Sequence, residues 1–275
     1  MRVAITGAHG YLGGHLKDAF IARGDSVLSL VRTPKEENEI TYLLGDEIRE
    51  GLLSGADALI HCAHDFSGNS LESSLKINLE GSRRLFAAAK EAGVTRIVFI
   101  SSMAAFPGCR SIYGKTKLEV EKAASEYGAW ALRPGTIYGG KGEGLFGALK
   151  KLATKLPVVP LIGSGEQKLF LVHIDDLAEV IVRIVHDDEA APKEAVSVAA
   201  KTPWRLKDIL KKLAGGRRVL FIPVPSALIT TPLLIGEKLG VRLPFRSDSV
   251  VSINNTDPSP RVLSTIFEVE LRPFS

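Results

Sequence analysis

The stretch RVAITGAHGYLGGHL, residues 2–16, decides the fold class. RVAIT, at 2–6, is a short apolar run typical of a strand. Gly7, Gly10 and Gly13 follow at three-residue spacing, at the start of a helical pattern. In a nucleotide-binding βα unit, the first glycine allows a tight turn, the second lets backbone approach a pyrophosphate, and the third lets the helix pack closely on the strand. The pattern therefore predicts a phosphate-binding turn, with a purely structural turn as the alternative.

Strand-like and helix-like segments alternate through the first half of the chain. The strand-like runs are almost continuously apolar, as expected of parallel strands covered on both faces. The predicted strands are RVAIT (2–6), SVLSLV (26–31), ALIHCA (58–63), RIVFIS (96–101) and WALRP (130–134), and two predicted helices, 12–24 and 78–93, each end on glycine. This alternation predicts an α/β protein with a Rossmann-like, doubly wound parallel sheet.

The sequence pattern changes after about residue 140, where prolines cluster and strand-like and helix-like segments no longer alternate. We predict that residues 1–140 form an NAD(P)-binding Rossmann domain, to which strands and helices up to about residue 185 also contribute. Residues 141–275 are predicted to form mainly a smaller substrate-binding lobe, interleaved with that core.

Composition narrows the functional class. The 275 residues carry 35 Lys and Arg against 31 Asp and Glu, a net charge of +4, which suits an anionic ligand but not a nucleic-acid partner. Two cysteines, Cys62 and Cys109, provide no disulfide framework. No apolar run reaches the ~20 residues that span a bilayer, and no signal-peptide pattern is present. We expect a cytoplasmic protein without a membrane span.

The end of the second predicted strand bears on the choice of cofactor. An NAD site places Asp or Glu about 20 residues after the glycines to bind the ribose 2′-hydroxyl, whereas an NADP site places a cation there. Arg32 lies nineteen residues after Gly13, and Lys35 is close by. The sequence favours NADP over NAD, with a solvated loop arginine as the alternative.

The segment VFISSMAAFPGCRSIYGKTKLEVEKAA, residues 98–124, carries the candidate chemistry. Tyr113 and Lys117 are spaced i, i+4 and share one face of a predicted helix. A lysine cation one turn away is expected to lower the pKa of the tyrosine. Ser102, at the end of the preceding strand, would donate a hydrogen bond to a carbonyl or alkoxide oxygen. The three residues predict hydride transfer coupled to proton transfer.

These motifs resemble the extended short-chain dehydrogenase/reductases, often labelled NAD-dependent epimerase/dehydratases. The resemblance spans nearly the whole chain, through TGAHGYLG, DALIHCAH, INLEGSRRLF, VFISS, YGKTKLEVE, ALRPGTIYG and LVHIDDLAEVI. It implies three catalytic residues, Ser102, Tyr113 and Lys117. It also implies cofactor contacts from Gly7, His9, Gly10, Tyr11, Leu12, Gly13, Arg32, Asp46 (near the adenine), Ala63 (beside the ribose), Tyr113, Lys117 (on the nicotinamide ribose) and Pro134 (beside the nicotinamide). His173, Asp175 and Asp176 are expected to be structural.

The resemblance leaves several activities open. We expect reduction of a carbonyl or 4-keto sugar nucleotide, with Tyr113 exchanging the proton. The alternatives are a nucleotide-sugar epimerase/dehydratase and a non-catalytic dinucleotide sensor. Only eleven residues separate Ser102 from Tyr113, whereas sugar-nucleotide epimerases of the family usually carry a longer loop there. That departure weakens the sugar-nucleotide assignment.

The cluster HCAHD, residues 61–65, suggests metal ligands, but neighbouring strand side chains point to opposite faces and no second ligand group follows. We predict no metal site, although His64 and Asp65 suit a substrate contact. Cys109 is expected to be an incidental loop cysteine, since no activating base is apparent.

Two segments of the lobe have several interpretations. The basic residues Lys207, Lys211, Lys212, Arg217 and Arg218 are predicted to be a solvated face, or else a patch for an anionic substrate. Residues 219–240 are apolar and proline-spaced; a pocket wall is preferred over a lid, a dimer surface or a membrane-facing helix. The family often dimerises through two helices of each subunit, and YGKTKLEVEKAA would supply one helix of a homodimer.

Overall fold

The computed structural model describes residues 1–140, 144–187, 190–241, 245–258, 260–263, 265–266 and 269–275. Its strands, in chain order, are β1 (Arg2–Thr6), β2 (Ser26–Val31), β3 (Glu39–Thr41), β4 (Ala58–His61), β5 (Arg96–Ile100), β6 (Trp130–Pro134), β7 (Thr136–Tyr138), β8 (Val158–Ile162), β9 (Lys168–Leu169), β10 (Leu171–His173), β11 (Val196–Val198), β12 (Trp204–Arg205), β13 (Leu220–Val224), β14 (Val262–Leu263), β15 (Thr265–Ile266) and β16 (Val269–Glu270). Its helices are α1 (Tyr11–Ala22), α2 (Leu71–Glu91), α3 (Ile112–Glu126), α4 (Gly144–Lys155), α5 (Ile174–His186), α6 (Leu206–Ala214), α7 (Ser226–Lys238) and α8 (Ser247–Asn254).

Eight parallel strands form the main sheet, in the order β14-β11-β6-β5-β4-β1-β2-β3. The order reverses between β1 and β4, which are neighbours in the sheet. In such open sheets, ligands bind in the crevice beyond the carboxyl ends of the strands at this reversal. The residues that follow β1 and β4 therefore border the expected ligand site.

Helices cover both faces of the sheet. Side chains of α1 and α5 pack on one face, around Val3 and Ile5 of β1. Side chains of α2 and α3 pack on the other, around Ala4 of β1 and Leu59 of β4. Successive residues of β1 thus enter opposite cores, as strand alternation requires. The prediction of a doubly wound α/β fold is confirmed.

A third core lies outside the sheet and joins α4, α6, β8 and α8, with Phe146, Leu210 and Phe274 among its buried members. It belongs to the lobe that the sequence predicts after residue 140. The main sheet takes β11 and β14 from beyond residue 185, so segments of sheet and lobe alternate along the chain.

Candidate active site

One large cavity, of about 1340 Å³, runs along the carboxyl edge of the main sheet and under the lobe. All three predicted catalytic residues line the cavity, and so does every predicted cofactor-contacting residue except Asp46. The lining residues of these two sets are Gly7, His9, Gly10, Tyr11, Leu12, Gly13, Arg32, Ala63, Ser102, Tyr113, Lys117 and Pro134. Asp46 is exposed and does not line the cavity, so its contact with the adenine stays a prediction.

The glycine turn has no room for larger residues. Gly7 adopts φ +68°, and a Cβ on it would lie 3.3 Å from the backbone of Ala63. A Cβ on Gly13 would lie 2.3 Å from the Gly7 carbonyl oxygen, closer than any real contact. The turn therefore holds β1, β4 and α1 at a separation that only glycine permits.

The N-terminus of α1 points at the end of the cavity that the glycine turn lines. Gly10 is its N-cap residue; no side chain caps it, and the first turn contains no acidic residue. Uncapped N–H groups and the positive end of the helix dipole suit a pyrophosphate. The residues present thus fit a bound dinucleotide.

Arg32 and Lys35 line the end of the cavity beside the glycine turn. The Arg32 side chain is 69% exposed, and its guanidinium lies 3.2 Å from the Asp65 carboxylate. The buried Glu39 carboxylate accepts hydrogen bonds from His9, at 2.7 Å, and from the Lys35 backbone N–H, at 2.6 Å. Burial raises the pKa of Glu39, but these hydrogen bonds outweigh it and lower the value to about 2. Glu39 thereby ties the glycine turn to the strand end that carries Arg32.

Tyr42 is a residue of this end that our sequence analysis missed. Its ring lines the cavity, and its buried hydroxyl has no hydrogen-bond partner in the described part of the chain. Burial raises its pKa. An unpaired buried hydroxyl is costly, so Tyr42 offers a donor to a bound molecule. No pattern in the sequence marks it, because β3 is only three residues long.

Ser102, Tyr113 and Lys117 meet at the opposite end of the cavity. Tyr113 hydrogen-bonds to Ser102, and Lys117, only 2% exposed, donates from Nζ to the Ile100 carbonyl at 2.7 Å. The Lys117 ammonium lies 4.6 Å from the centre of the Phe99 ring and 5.8 Å from that of Tyr113. Sheet and helix together therefore assemble the predicted set.

The electrostatics of this set differ from our expectation. Burial raises the pKa of Tyr113 to about 12, although the Ser102 hydrogen bond lowers it in part. Burial also lowers the pKa of Lys117 to about 8, with Cys62 and Glu121 opposing that shift. The expected lowering of the tyrosine pKa by the lysine is thus wrong in this structure, because desolvation dominates. Tyr113 keeps its proton at neutral pH.

Aromatic side chains surround the Tyr113 ring. Phe66 stacks on it with ring centres 5.7 Å apart, and His64 meets it edge-on at 4.9 Å. Burial lowers the pKa of His64 to about 2, assisted by Lys117, so His64 is neutral at physiological pH. His61, by contrast, is fully buried between Thr6 and Ser82 and faces away from the cavity. The described residues contain no cluster of side chains that suits a metal ion.

The lobe closes this end through α8, a contribution that the sequence analysis did not foresee. The Asp248 carboxylate accepts hydrogen bonds from the backbone N–H groups of Ile112, at 2.8 Å, and Tyr113, at 2.9 Å. Arg246, the N-cap residue of α8, places its guanidinium 5.6 Å from the Phe66 ring. Asp248 thus stabilises the N-terminus of the helix that presents Tyr113. No local pattern could have paired two segments 135 residues apart.

Other predicted features have structural roles. His173 caps α5 by accepting from the Asp175 N–H, and the Asp176 carboxylate binds the Arg272 backbone N–H at 2.9 Å. Cys109 is buried and does not line the cavity. The preferred interpretation of residues 219–240 as a pocket wall is wrong, since none of them lines the cavity and α7 has no buried residue. No helix of the described residues is long and apolar enough to cross a bilayer.

Comparison with known proteins gives this geometry a family. The chain is 34% identical over 192 residues to a ceramide reductase of Caulobacter vibrioides (strain NA1000 / CB15N), a match that covers 66% of the chain and 59% of that relative. It is 24% identical over 291 residues to a 3-beta-hydroxysteroid dehydrogenase of Mycolicibacterium neoaurum, covering 89% of the chain and 79% of the relative. The chain thus spans less than two thirds of the length of the ceramide reductase.

A solved structure, MoeE5 in complex with UDP-glucose and NAD, shares the fold with a TM-score of 0.71 at 22% identity, covering 82% of this chain and 85% of that one. The sequence model of the NAD dependent epimerase/dehydratase family matches residues 3–199, which include the glycine turn and all three predicted catalytic residues. The chain belongs to the NAD dependent epimerase/dehydratase family.

Proposed function

We propose that the protein is an NADP(H)-dependent reductase of an apolar ketone or aldehyde, with Tyr113 as the proton donor. The observation that carries the proposal is the cavity itself. It joins an uncapped helix N-terminus and a glycine turn at one end to Ser102, Tyr113 and Lys117 at the other. A dinucleotide is long enough to extend from the first end to the second, with its phosphates on the glycine turn and its reactive ring beside Tyr113.

The protonation states favour reduction. When bound, a reduced nicotinamide supplies the hydride that the substrate carbon accepts. The Tyr113 phenol, protonated at neutral pH, donates its proton to the developing alkoxide oxygen. Ser102 hydrogen-bonds to the same oxygen, and the Lys117 cation stabilises the phenolate left behind. An alcohol oxidation would instead need the phenolate at the start, which burial opposes.

The walls at the reaction end favour an apolar substrate. Phe66, the neutral His64 and the Tyr113 ring form one face, and Leu145 and Ile253 also line the cavity. Two relatives are named for lipid-like compounds, ceramide and a hydroxysteroid. The short connection between Ser102 and Tyr113 removes a wall that a sugar nucleotide would contact.

The end of the cavity that carries Arg32 and Lys35, where the adenosine would bind, supports the choice of NADP. Between residues 30 and 44, all of which the structure describes, the lining side chains include Arg32 and Lys35 and no carboxylate. Both cations suit a 2′-phosphate, and NAD would lack its usual carboxylate partner there. Glu39, the nearest strand-end acid, is buried and already accepts three hydrogen bonds.

Fluorescence titration with NADPH and NADH tests the cofactor assignment. We expect NADPH to bind at least about tenfold more tightly, and Arg32→Ala to remove most of that preference. Arg49→Ala, at an exposed position outside the cavity, is the matched control and should change neither affinity. Tighter binding of NADH than of NADPH would contradict the proposal.

A nucleotide-sugar epimerase is the second candidate, and Arg246 favours it. Its guanidinium lies at the reaction end, where a substrate diphosphate would need a cation. Assays with UDP- and dTDP-sugars, run beside long-chain ketones and aldehydes with NADPH, separate the two. Inversion of a sugar nucleotide without net NADPH consumption would favour the epimerase, whereas NADPH oxidation with an apolar ketone supports the reductase.

A further inference from the structure

The β8–β13 ribbon presents apolar side chains to solvent. The two strands pair in parallel outside the main sheet, with Val158 opposite Leu220 and Pro160 opposite Ile222. All four residues are exposed, Leu220 to 60%, whereas Val159, between two of them, is buried in the lobe core. The exposed face of a strand is normally polar. Here both faces of the ribbon are apolar, and only one is covered.

Helix α7, which follows β13 directly, repeats this pattern. Ile229 and Leu233 pack against the lobe core. By contrast, Leu228 is 66% exposed, Ile235 is also exposed, and Leu239, the residue that follows the helix, is 74% exposed. Scattered single apolar residues on a surface need no explanation, but a dense set in one segment indicates a binding surface. We call these outward residues of the ribbon and of residues 226–239 the apolar surface.

A basic rim adjoins the apolar surface. Because β8 and β13 run in parallel, the helices that precede them, α4 and α6, end at the same end of the ribbon. The Arg217 guanidinium links these two helix ends, donating to the carbonyls of Ala153, at 3.1 Å, and Thr154. Exposed cations are concentrated there; the basic rim comprises Lys151, Lys155, Lys211 and Arg218.

The charge of the surrounding sequence is one-sided. Residues 199–246 contain ten Lys and Arg but only two Asp and Glu. One of the two acids, Glu237, is engaged, since its carboxylate accepts hydrogen bonds from the backbone and hydroxyl of Ser247, both at 2.7 Å. Arg205 and Lys207 of this segment pair with Glu166, so the positive charge that borders the apolar surface comes from the four exposed cations of the basic rim.

We infer that the apolar surface and the basic rim dock on a membrane containing anionic lipid. Apolar side chains enter the boundary between headgroups and acyl chains, while Lys and Arg bind the lipid phosphates. A second copy of the chain fits less well, because a twofold contact through this surface would bring two basic rims into one interface. The docked segment contacts α8, which lines the cavity, so a lipid-borne substrate would enter near Tyr113.

Sedimentation with vesicles tests this inference on the full chain. One vesicle contains phosphatidylcholine alone, and the other contains equal parts of phosphatidylcholine and phosphatidylglycerol. We expect the protein to sediment with the anionic vesicles at low ionic strength, to stay in solution with the neutral ones, and to lose binding as salt is added. Neither cofactor nor substrate is present, so the result is independent of the proposed reductase activity.

Two double variants separate the contributions. Leu220→Ser with Ile222→Ser removes the apolar contact, and Lys155→Glu with Arg218→Glu reverses part of the basic rim. Each should lower vesicle affinity at least about tenfold. The matched controls are Ile21→Ser and Arg49→Glu, at exposed positions on the Rossmann side, which should leave binding unchanged. Thermal melts confirm that each variant folds.

Three results would overturn the inference. The first is failure to bind anionic vesicles at low ionic strength, and the second is vesicle binding that neither double variant reduces. The third is a stable dimer in light scattering that becomes monomeric with Leu220→Ser and Ile222→Ser, which would assign the apolar surface to a second copy.

Discussion

The two walls of the cavity are built in different ways. The sheet wall takes its residues from the ends of β1, β4 and β5 and from the start of α3. Close backbone contacts fix these residues, because a Cβ on Gly13 would clash with the Gly7 carbonyl and a Cβ on Gly114 would clash with the Ala104 carbonyl. The lobe wall takes Arg246, Asp248 and Ile253 from the short helix α8. In the proposed reaction, cofactor binding and proton transfer would thus depend on the strand ends, and substrate access would depend on side chains of the lobe.

Lys117, on the sheet wall, gives the largest expected effect. We expect Lys117→Met to lower turnover about 100-fold or more, because the phenolate loses its cation. The same variant should raise the melting temperature at pH 7, since a buried cation is removed. Because the pKa of Lys117 falls from 10.5 to about 8 on folding, the unfolded chain binds the proton more tightly, and the destabilisation is complete below pH 8.

The stability difference between Lys117→Met and the wild type should therefore shrink as the pH rises from 8 to 10.5. Thermal melts across that range, with steady-state rates at pH 7, measure both effects. A variant that is less stable and fully active would show that Lys117 serves packing alone.

The glycine turn gives the next largest effect. Gly13→Ala places a Cβ against a backbone carbonyl that cannot move without shifting β1, so NADPH affinity should fall at least about tenfold and stability by about 1–3 kcal/mol. Gly14→Ala, whose Cβ would lie 3.2 Å from the Ala8 carbonyl, is the neighbouring control and should have a clearly smaller effect. Equal effects of the two variants, by titration and thermal melt, would argue against the close approach.

Asp248 tests the lobe wall. Asp248→Asn keeps the shape but leaves one acceptor for the two N–H groups of α3, so we expect about 1 kcal/mol of lost stability and a several-fold lower kcat, with NADPH affinity unchanged. Asp18→Asn, on the exposed face of α1, is the control. If kcat were unaffected, the lobe would only cover the site and would not position Tyr113.

The difference between the two walls also explains which strands and helices could be predicted from the sequence. The predicted bounds of β1, β2 and β6 agree with the structure, because buried parallel strands are marked by continuous apolar runs. Helix α2 begins at Leu71, seven residues before the predicted start, because Ser70 and Ser73 form a capping box that the apolar pattern does not reveal. The two-residue strands of the lobe are too short to carry any period.

The candidate site divides in the same way. Motif spacing predicted Ser102, Tyr113 and Lys117, and the fold brings them together. The spacing could not predict the pKa values of Tyr113 and Lys117, because these depend on how deeply the fold buries the two side chains. Arg246 and Asp248 were missed for a related reason, since each acts through contacts between segments distant in the chain.

The central claim is that Tyr113 supplies the proton in an NADPH-dependent reduction. Steady-state NADPH oxidation by Tyr113→Phe, with an apolar ketone as substrate, tests it most directly when NADPH affinity is measured by fluorescence on the same samples. The claim predicts turnover reduced about a thousandfold or more, with NADPH affinity close to that of the wild type. Near-normal turnover with the phenylalanine in place would contradict it.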